Sequence, residues 1–328
     1  MVSLHKEKVV QFDKTKVNHT NYQPQVISIC SGKGGVGKSF IASSLAITLA
    51  KSGVNVVLID FDMNGGNLHS WLGQSPTCPN LSHYFKNKNI TLKEIQKNTV
   101  LDKLKVVHGF WPMWSLDPVQ DNELNKLLIE VKSLNTDVVI VDVGTGLTPY
   151  SWEFLKISDQ KLLITTSEPI SIEKTYRWIE KFIVQTLKDK NANVYNEEEI
   201  WKKWFSRKEK ISQIFELREF IEKESNLKSA TIEDVVPHLM GPIQLIFNQT
   251  RNFEDEHMGI SMKSVVNKNY YTQLDYLGFI QFDNSVWQCS RQKDPVLITQ
   301  PYSPQVGQFL TLSKQIMLYK QVKLSAAA

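Results

Sequence analysis

The chain has 328 residues, 41% of them hydrophobic and 22% charged, a composition that suits a folded α/β core and excludes wholesale disorder. Its 38 Lys+Arg against 34 Asp+Glu leave a formal charge of +4, too mild a surplus to point to nucleic acid. Cys30, Cys78 and Cys289 lie far apart with no CxxC spacing, which argues against a zinc site or a disulfide framework and predicts a reducing, cytoplasmic setting. No signal-peptide pattern opens the sequence, and no apolar run reaches the roughly 18 residues needed to span a bilayer.

Residues 1–24 are polar and unpatterned, and read as a flexible arm ahead of a domain covering 25–328. The run QVISIC (25–30), the helical KSFIASSLAITLAKSG and NVVLIDFD (55–62) then form a βαβ unit. Further strands are predicted at 103–110, 137–144, 160–167, 241–249 and 273–283. Their nearly continuous β-branched and apolar character predicts a doubly wound, mostly parallel sheet with helices on both faces. Residues 188–240 break this rhythm with a charged helical pattern longer than an ordinary crossover. They read as a helical insertion, either with a solvated face or as a partner-binding lobe.

Between the first strand and the first helix stands Gly32-Lys33-Gly34-Gly35-Val36-Gly37-Lys38-Ser39, which fits GxxxxGK[ST]. Glycines let successive backbone N–H groups turn onto phosphate oxygens, and the helix entered through Ser39 and Phe40 presents its positive end. Lys38 suits the β and γ phosphates, and the Ser39 hydroxyl suits Mg²⁺. Gly34, Gly35, Val36, Gly37, Lys38, Ser39 and Phe40 are therefore the expected cradle for ATP or ADP. Cys30, at the end of the preceding strand, reads as an inert buried thiol.

The extra lysine, Lys33, makes this segment resemble the deviant Walker A motif, KGGVGKS, of the MinD/ParA family. The resemblance implies that Lys33 reaches the partner's phosphates in an ATP-dependent homodimer. It extends to Asp60-Phe61-Asp62-Met63-Asn64-Gly65-Gly66-Asn67, which is similar to the family's switch I; there Asp62 orients the attacking water and contributes to the metal site, while Asn67 contacts the nucleotide region. A carboxylate at a strand end next to a charged γ-phosphate is sufficient for such a role, since phosphoryl transfer needs positioning above all. Asp60 fits either binding or a turn. DVVIVDVGTG ends in Asp142 and Gly144, the arrangement of a Walker B or switch II segment, with Asp142 on the Mg²⁺ side and Gly144 free to flip. Val143 and Thr145 depart from the Pro or Ala usual in the family. Asn248, closing IQLIFNQTR, matches the asparagine that reads the adenine edge, and a turn-forming asparagine is the alternative.

The resemblance covers residues 25 to about 320 and is closest, through GGNLHSWLG, SEPISIEKTYRWI and LGFIQFDNSVWQCSRQKDPVL, to the FlhG class that governs flagellar number and placement. It implies slow ATP hydrolysis as a timer, with a regulatory or cargo protein as partner. No cysteine lies in a cluster motif of the iron–sulfur branch. A ParA-type partition ATPase, which grips DNA through a basic face, and a non-hydrolysing nucleotide-binding scaffold remain open. The stretch VGQFLTLSKQIMLYKQVKL, with Phe309, Leu312, Ile316, Met317 and Tyr319, reads as a domain-closing helix or as an amphipathic helix holding the protein at the inner face of the membrane. Gly109-Phe110-Trp111-Pro112-Met113-Trp114 reads as a docking surface or as core filling.

Overall fold

The computed structural model describes residues 23–63, 66–109, 119–190, 241–270, 272–300 and 303–326. Residues 1–22, most of the insertion and the aromatic loop from Phe110 onward lie outside them, so the readings placed there stand as expectations.

The described chain builds an eight-stranded sheet in the order β3-β4-β2-β5-β1-β6-β7-β8. The strands are β1 (Gln25–Ser31), β2 (Val56–Asp60), β3 (Gln96–Asn98), β4 (Leu104–Val107), β5 (Val138–Thr145), β6 (Gln160–Thr165), β7 (Ile243–Thr250) and β8 (Leu274–Gln281). All pairings are parallel except β3 with β4. The doubly wound sheet is thus the predicted one, and each predicted strand is present with edges shifted by a few residues. β3 is the addition: QKN carries no apolar signal, and it forms by pairing antiparallel to β4 at the sheet edge.

Side-chain alternation divides the core. On β1, Val26 and Cys30 join one apolar cluster, while Ile27 and Ile29 join the other. The same split places Val57 and Ile59 opposite Val56 and Leu58 on β2, and Val139 and Val141 opposite Val138 and Ile140 on β5. Strands apolar on both faces require helices on both faces. One face is covered chiefly by α4 (Asp121–Lys132), α5 (Pro149–Ile157) and α6 (Pro169–Lys190), followed after β7 by α7 (Phe253–Asn269). The other is covered by α1 (Lys38–Lys51) and the C-terminal helix, α10 (Pro304–Ala326). Short helices occupy the links: α2 (Leu68–Trp71), α3 (Leu81–Lys86), α8 (Asn284–Gln292) and α9 (Val296–Thr299).

Several helix starts are written locally. Thr148 accepts the Ser151 N–H at 3.0 Å with Pro149 in the first turn, and Asn252 accepts the Asp255 N–H at 2.8 Å. The α1 start differs. Gly37 stands at its N-cap with φ 88°, and no side chain caps the helix. Its first N–H groups are therefore left for a ligand.

α1 is apolar nearly all round because it is enclosed between the sheet and α10. Phe309, Leu312 and Ile316 of α10 are buried, and Phe309 meets Phe40 edge to face with ring centroids 5.6 Å apart. The domain-closing reading of these residues is what the structure shows. No helix among the described residues is long and apolar enough to cross a membrane.

Candidate nucleotide site

β1 lies between β5 and β6, so the chain leaves it toward β2 on one side and later crosses to β6 on the other. That reversal opens a crevice at the carboxyl ends of the strands, where doubly wound sheets bind ligands. The phosphate loop fills this position, linking β1 to α1.

A cavity of about 470 Å³ opens on the loop, lined at one end by Lys33, Gly35, Val36, Gly37, Lys38, Ser39 and Phe40, with Asp62 and Thr145. Gly34 stands exposed on the crest of the loop. Gly37 serves two needs: its left-handed φ is cheap only for glycine, and a Cβ there would overlap Asn248 Nδ2. Asn248, itself buried, donates from Nδ2 to the Val36 carbonyl at 2.8 Å, tying β7 to the underside of the loop. Its amide has a second N–H and a carbonyl besides. Next to it, Gln249 holds φ 61° at the cavity wall, an uncommon conformation for a residue other than glycine.

Beneath the loop, Lys38 and Asp142 form a buried ion pair, and Ser39 Oγ donates to Asp142 Oδ2 at 2.6 Å. Asp62 Oδ2 lies 3.8 Å from Lys38 Nζ. The structure thus brings together four residues that are separated by up to 104 positions in sequence. Gly144, with φ 78°, lets the β5 end pass close to Asp62: a Cβ there would stand 3.2 Å from Asp62 Oδ1. The Gly146 N–H returns to the Ser31 carbonyl at 2.8 Å, fastening this turn to the phosphate loop.

The hydroxyl of Ser39 and the carboxylates of Asp142 and Asp62 are hard oxygen donors around one point, a set that fits Mg²⁺. Among the described residues no group of three or more His, Cys, Asp and Glu forms a metal cage. A Mg²⁺ site built on one or two carboxylates plus phosphate oxygens needs none.

Asp60 is fully buried and accepts the Leu68 N–H at 3.1 Å and the Asp62 N–H at 3.4 Å. Burial, reinforced by the nearby Asp142 charge, pushes its carboxyl up to about 7. Its geometry is that of the turn reading: it folds the segment between β2 and α2. Asn67 stands exposed at the N-cap of α2 and is not among the residues lining the cavity. Burial likewise raises the Cys30 thiol well above its ordinary range, which suits an inert side chain.

Lys33 is held within its own chain. Its Nζ donates to Glu168 Oε2 at 2.6 Å at the mouth of the site. Glu168, just before α6, escaped sequence reasoning because nothing local relates it to a residue 135 positions away. The far end of the cavity was equally illegible: Trp71, Gln281, Phe282, Trp287 and Gln305 come from α2, the end of β8, the β8–α8 turn, α8 and α10.

Comparison with known proteins agrees with this geometry. The family profile described as "ParA: NUBPL iron-transfer P-loop NTPase" matches residues 23–196. The antiactivator FleN of Pseudomonas aeruginosa is 29% identical over 160 residues, covering 47% of this chain and 55% of the relative. The flagellum site-determining protein YlxH of Helicobacter pylori is 33% identical over 165 residues, 47% of this chain and 52% of the relative. The chain therefore spans about half the length of these curated relatives. Among solved structures, the septum site-determining protein MinD of Pyrococcus horikoshii OT3, complexed with Mg-ADP, shares the fold with a TM-score of 0.61 at 17% identity, covering 89% of this chain and 96% of that one. A ParA family ATPase from Chlorobium tepidum TLS gives 0.60 at 14%, covering 88% and 97%. With its phosphate loop set at the switch point of the sheet and more than half of its residues matched, the chain belongs to the ParA family of P-loop NTPases.

Proposed function

We propose that this protein is a Mg²⁺-dependent ATPase that acts as a slow, dimerising switch, with its ATP form engaging a regulatory or cargo protein. The observation that carries the reading is the cluster of Lys38, Ser39, Asp142 and Asp62 beneath a phosphate loop with free helix N–H groups.

Backbone N–H groups of residues 34–39 and the α1 N-terminus bind the phosphates, and Lys38 neutralises charge on the β and γ groups. Ser39 and Asp142 hold the metal, with Asp62 beside them; bound Mg²⁺ supplies charge stabilisation on the phosphate oxygens. Asp62, half-buried beside Lys38, orients a water toward the γ-phosphate. Asn248 offers its remaining amide groups to the base. The name of YlxH, a flagellum site-determining protein, supports a role in flagellar placement, that of FleN, an antiactivator, supports a regulatory one, and MinD of Aquifex aeolicus, solved in complex with MinC, supports a protein partner. The sequence holds no CxxC pair, so carriage of an iron–sulfur cluster is not the favoured reading despite the name of the family profile.

Phosphate release with Mg-ATP tests the reading. Asp62→Ala should lower turnover about a hundredfold or more while ATP affinity stays within a few-fold of wild type. Unchanged turnover would remove Asp62 from the reaction, and a wild type with no ATP-dependent phosphate release would leave a nucleotide-binding scaffold.

A further inference from the structure

The end of β7 breaks the alternation that the strand obeys up to that point. Ile246 joins the apolar cluster on the α1 side of the sheet and Phe247 the cluster on the other side. A regular strand would therefore send Asn248 toward α1 and Gln249 away from it. Instead, the pairing with β8 steps from Asn248 opposite Ile280 to Thr250 opposite Gln281, which leaves Gln249 as an extra residue on β7. Its φ of 61° places the backbone in the left-handed region at this bulge. Two consecutive side chains thus converge on one point of the phosphate loop: a Cβ at Gly37 would overlap Asn248 Nδ2 and stand 3.8 Å from Gln249 Nε2.

Asn248 has a partner there, the Val36 carbonyl at 2.8 Å. Gln249 is half-buried and lines the cavity, and its amide makes no hydrogen bond among the described residues. Neither its Oε1 nor its Nε2 is sealed off, so a ligand in the cavity can reach both. Left-handed backbone is unfavourable for a residue with a side chain, and such conformations cluster where a ligand is held. A bulge beside a site re-aims a side chain. Here it turns an amide from the far face of the sheet into the cavity over the phosphate loop.

We infer that Gln249 binds the nucleoside half of ATP, an inference that rests on the proposal that the site takes this nucleotide. Phosphate oxygens only accept, and in that proposal the loop N–H groups and Lys38 serve them. A carboxamide both donates and accepts, which matches ribose hydroxyls and the polar edge of a base. The bulge adds this contact beside Asn248, at a position that no phosphate-loop pattern marks.

Equilibrium binding to the full chain provides the test, with ATP and inorganic tripolyphosphate as probes, the second carrying the phosphates without the nucleoside. Two variants separate the amide from the backbone. Gln249→Met keeps the length of the side chain and loses the amide, whereas Gln249→Gly loses the amide and accepts the left-handed φ freely. Both should bind ATP about tenfold more weakly than wild type, the order expected for one or two hydrogen bonds to a ligand, and tripolyphosphate within about twofold of it. Gln249→Gly should do so with a ligand-free thermal midpoint at or above that of wild type, the mark of a strained residue kept for binding. ATP affinity within twofold of wild type in both variants would overturn the inference and leave the nucleotide site standing. A parallel loss of ATP and tripolyphosphate would also overturn it, by making Gln249 a support of the loop. If wild type binds neither probe, the ATP reading itself falls.

Discussion

Gly37 shows how one residue can serve backbone geometry and packing together. Its φ of 88° turns the chain from the loop into α1, and the space a side chain would need is taken by Asn248 Nδ2. Gly37→Ala therefore meets both a strained conformation and a collision. We expect it to lower stability by about 1–3 kcal/mol in urea denaturation and to weaken ATP binding by more than tenfold in calorimetry. An alanine variant with wild-type stability and affinity would show that the loop can relax around the new Cβ. The place of Gly37 at the start of α1 is legible in the GxxxxGK[ST] pattern, as are those of Lys38 and Ser39, because the spacing of a phosphate loop is local. The role of Asp60 is not, since both binding and turn roles place an aspartate at a strand end. The packing of Gly66 and Gly109 against its carboxyl and its bond to the Leu68 N–H assign it to the turn.

At the scale of elements, the pairing of α1 with α10 is what closes the fold. α10 brings Phe309, Leu312 and Ile316 against the side of α1 that faces away from the sheet, where Phe309 is wholly buried and stacks edge-on against Phe40. Phe309→Ala would leave a cavity at this contact, and the expected cost is about 3–5 kcal/mol in equilibrium urea unfolding. A loss below about 1 kcal/mol would mean that α10 is loosely held and free for another surface. Element types were readable because strands buried on both faces and a helix apolar on all sides leave continuous apolar runs. β3 was not readable: Gln96, Lys97 and Asn98 carry no pattern of their own, and the edge of β4 supplies their pairing.

The molecule as a whole exposes its site at one edge of the sheet, with Lys33 at the mouth. Lys33 and Glu168 are respectively 34% and 64% exposed, so their ion pair is of the kind that contributes little to stability and is readily exchanged. This favours a lysine that can leave its own chain for a phosphate in a second copy, as the dimerising switch requires. Light scattering with Mg-ATP should show a doubling of mass for Asp62→Ala, which retains the triphosphate, and none for the double variant with Lys33→Ala. A monomer in both cases would remove the dimer from the proposal and leave the ATPase site intact.

By itself, the sequence determined the class of sheet, the position of the phosphate loop and the identity of the charged groups gathered beneath it. Those features depend on periodicity and on spacing within a few residues, and both are written locally. Only the tertiary structure decided that Glu168 faces Lys33, that Asp60 folds a turn, and that Gln305 of the last helix forms part of the wall opposite the phosphates. Each of these contacts joins residues on different elements. Such partners are set by how the two helical layers settle on the sheet, since the side-chain pattern of one element does not specify which residue of another it meets.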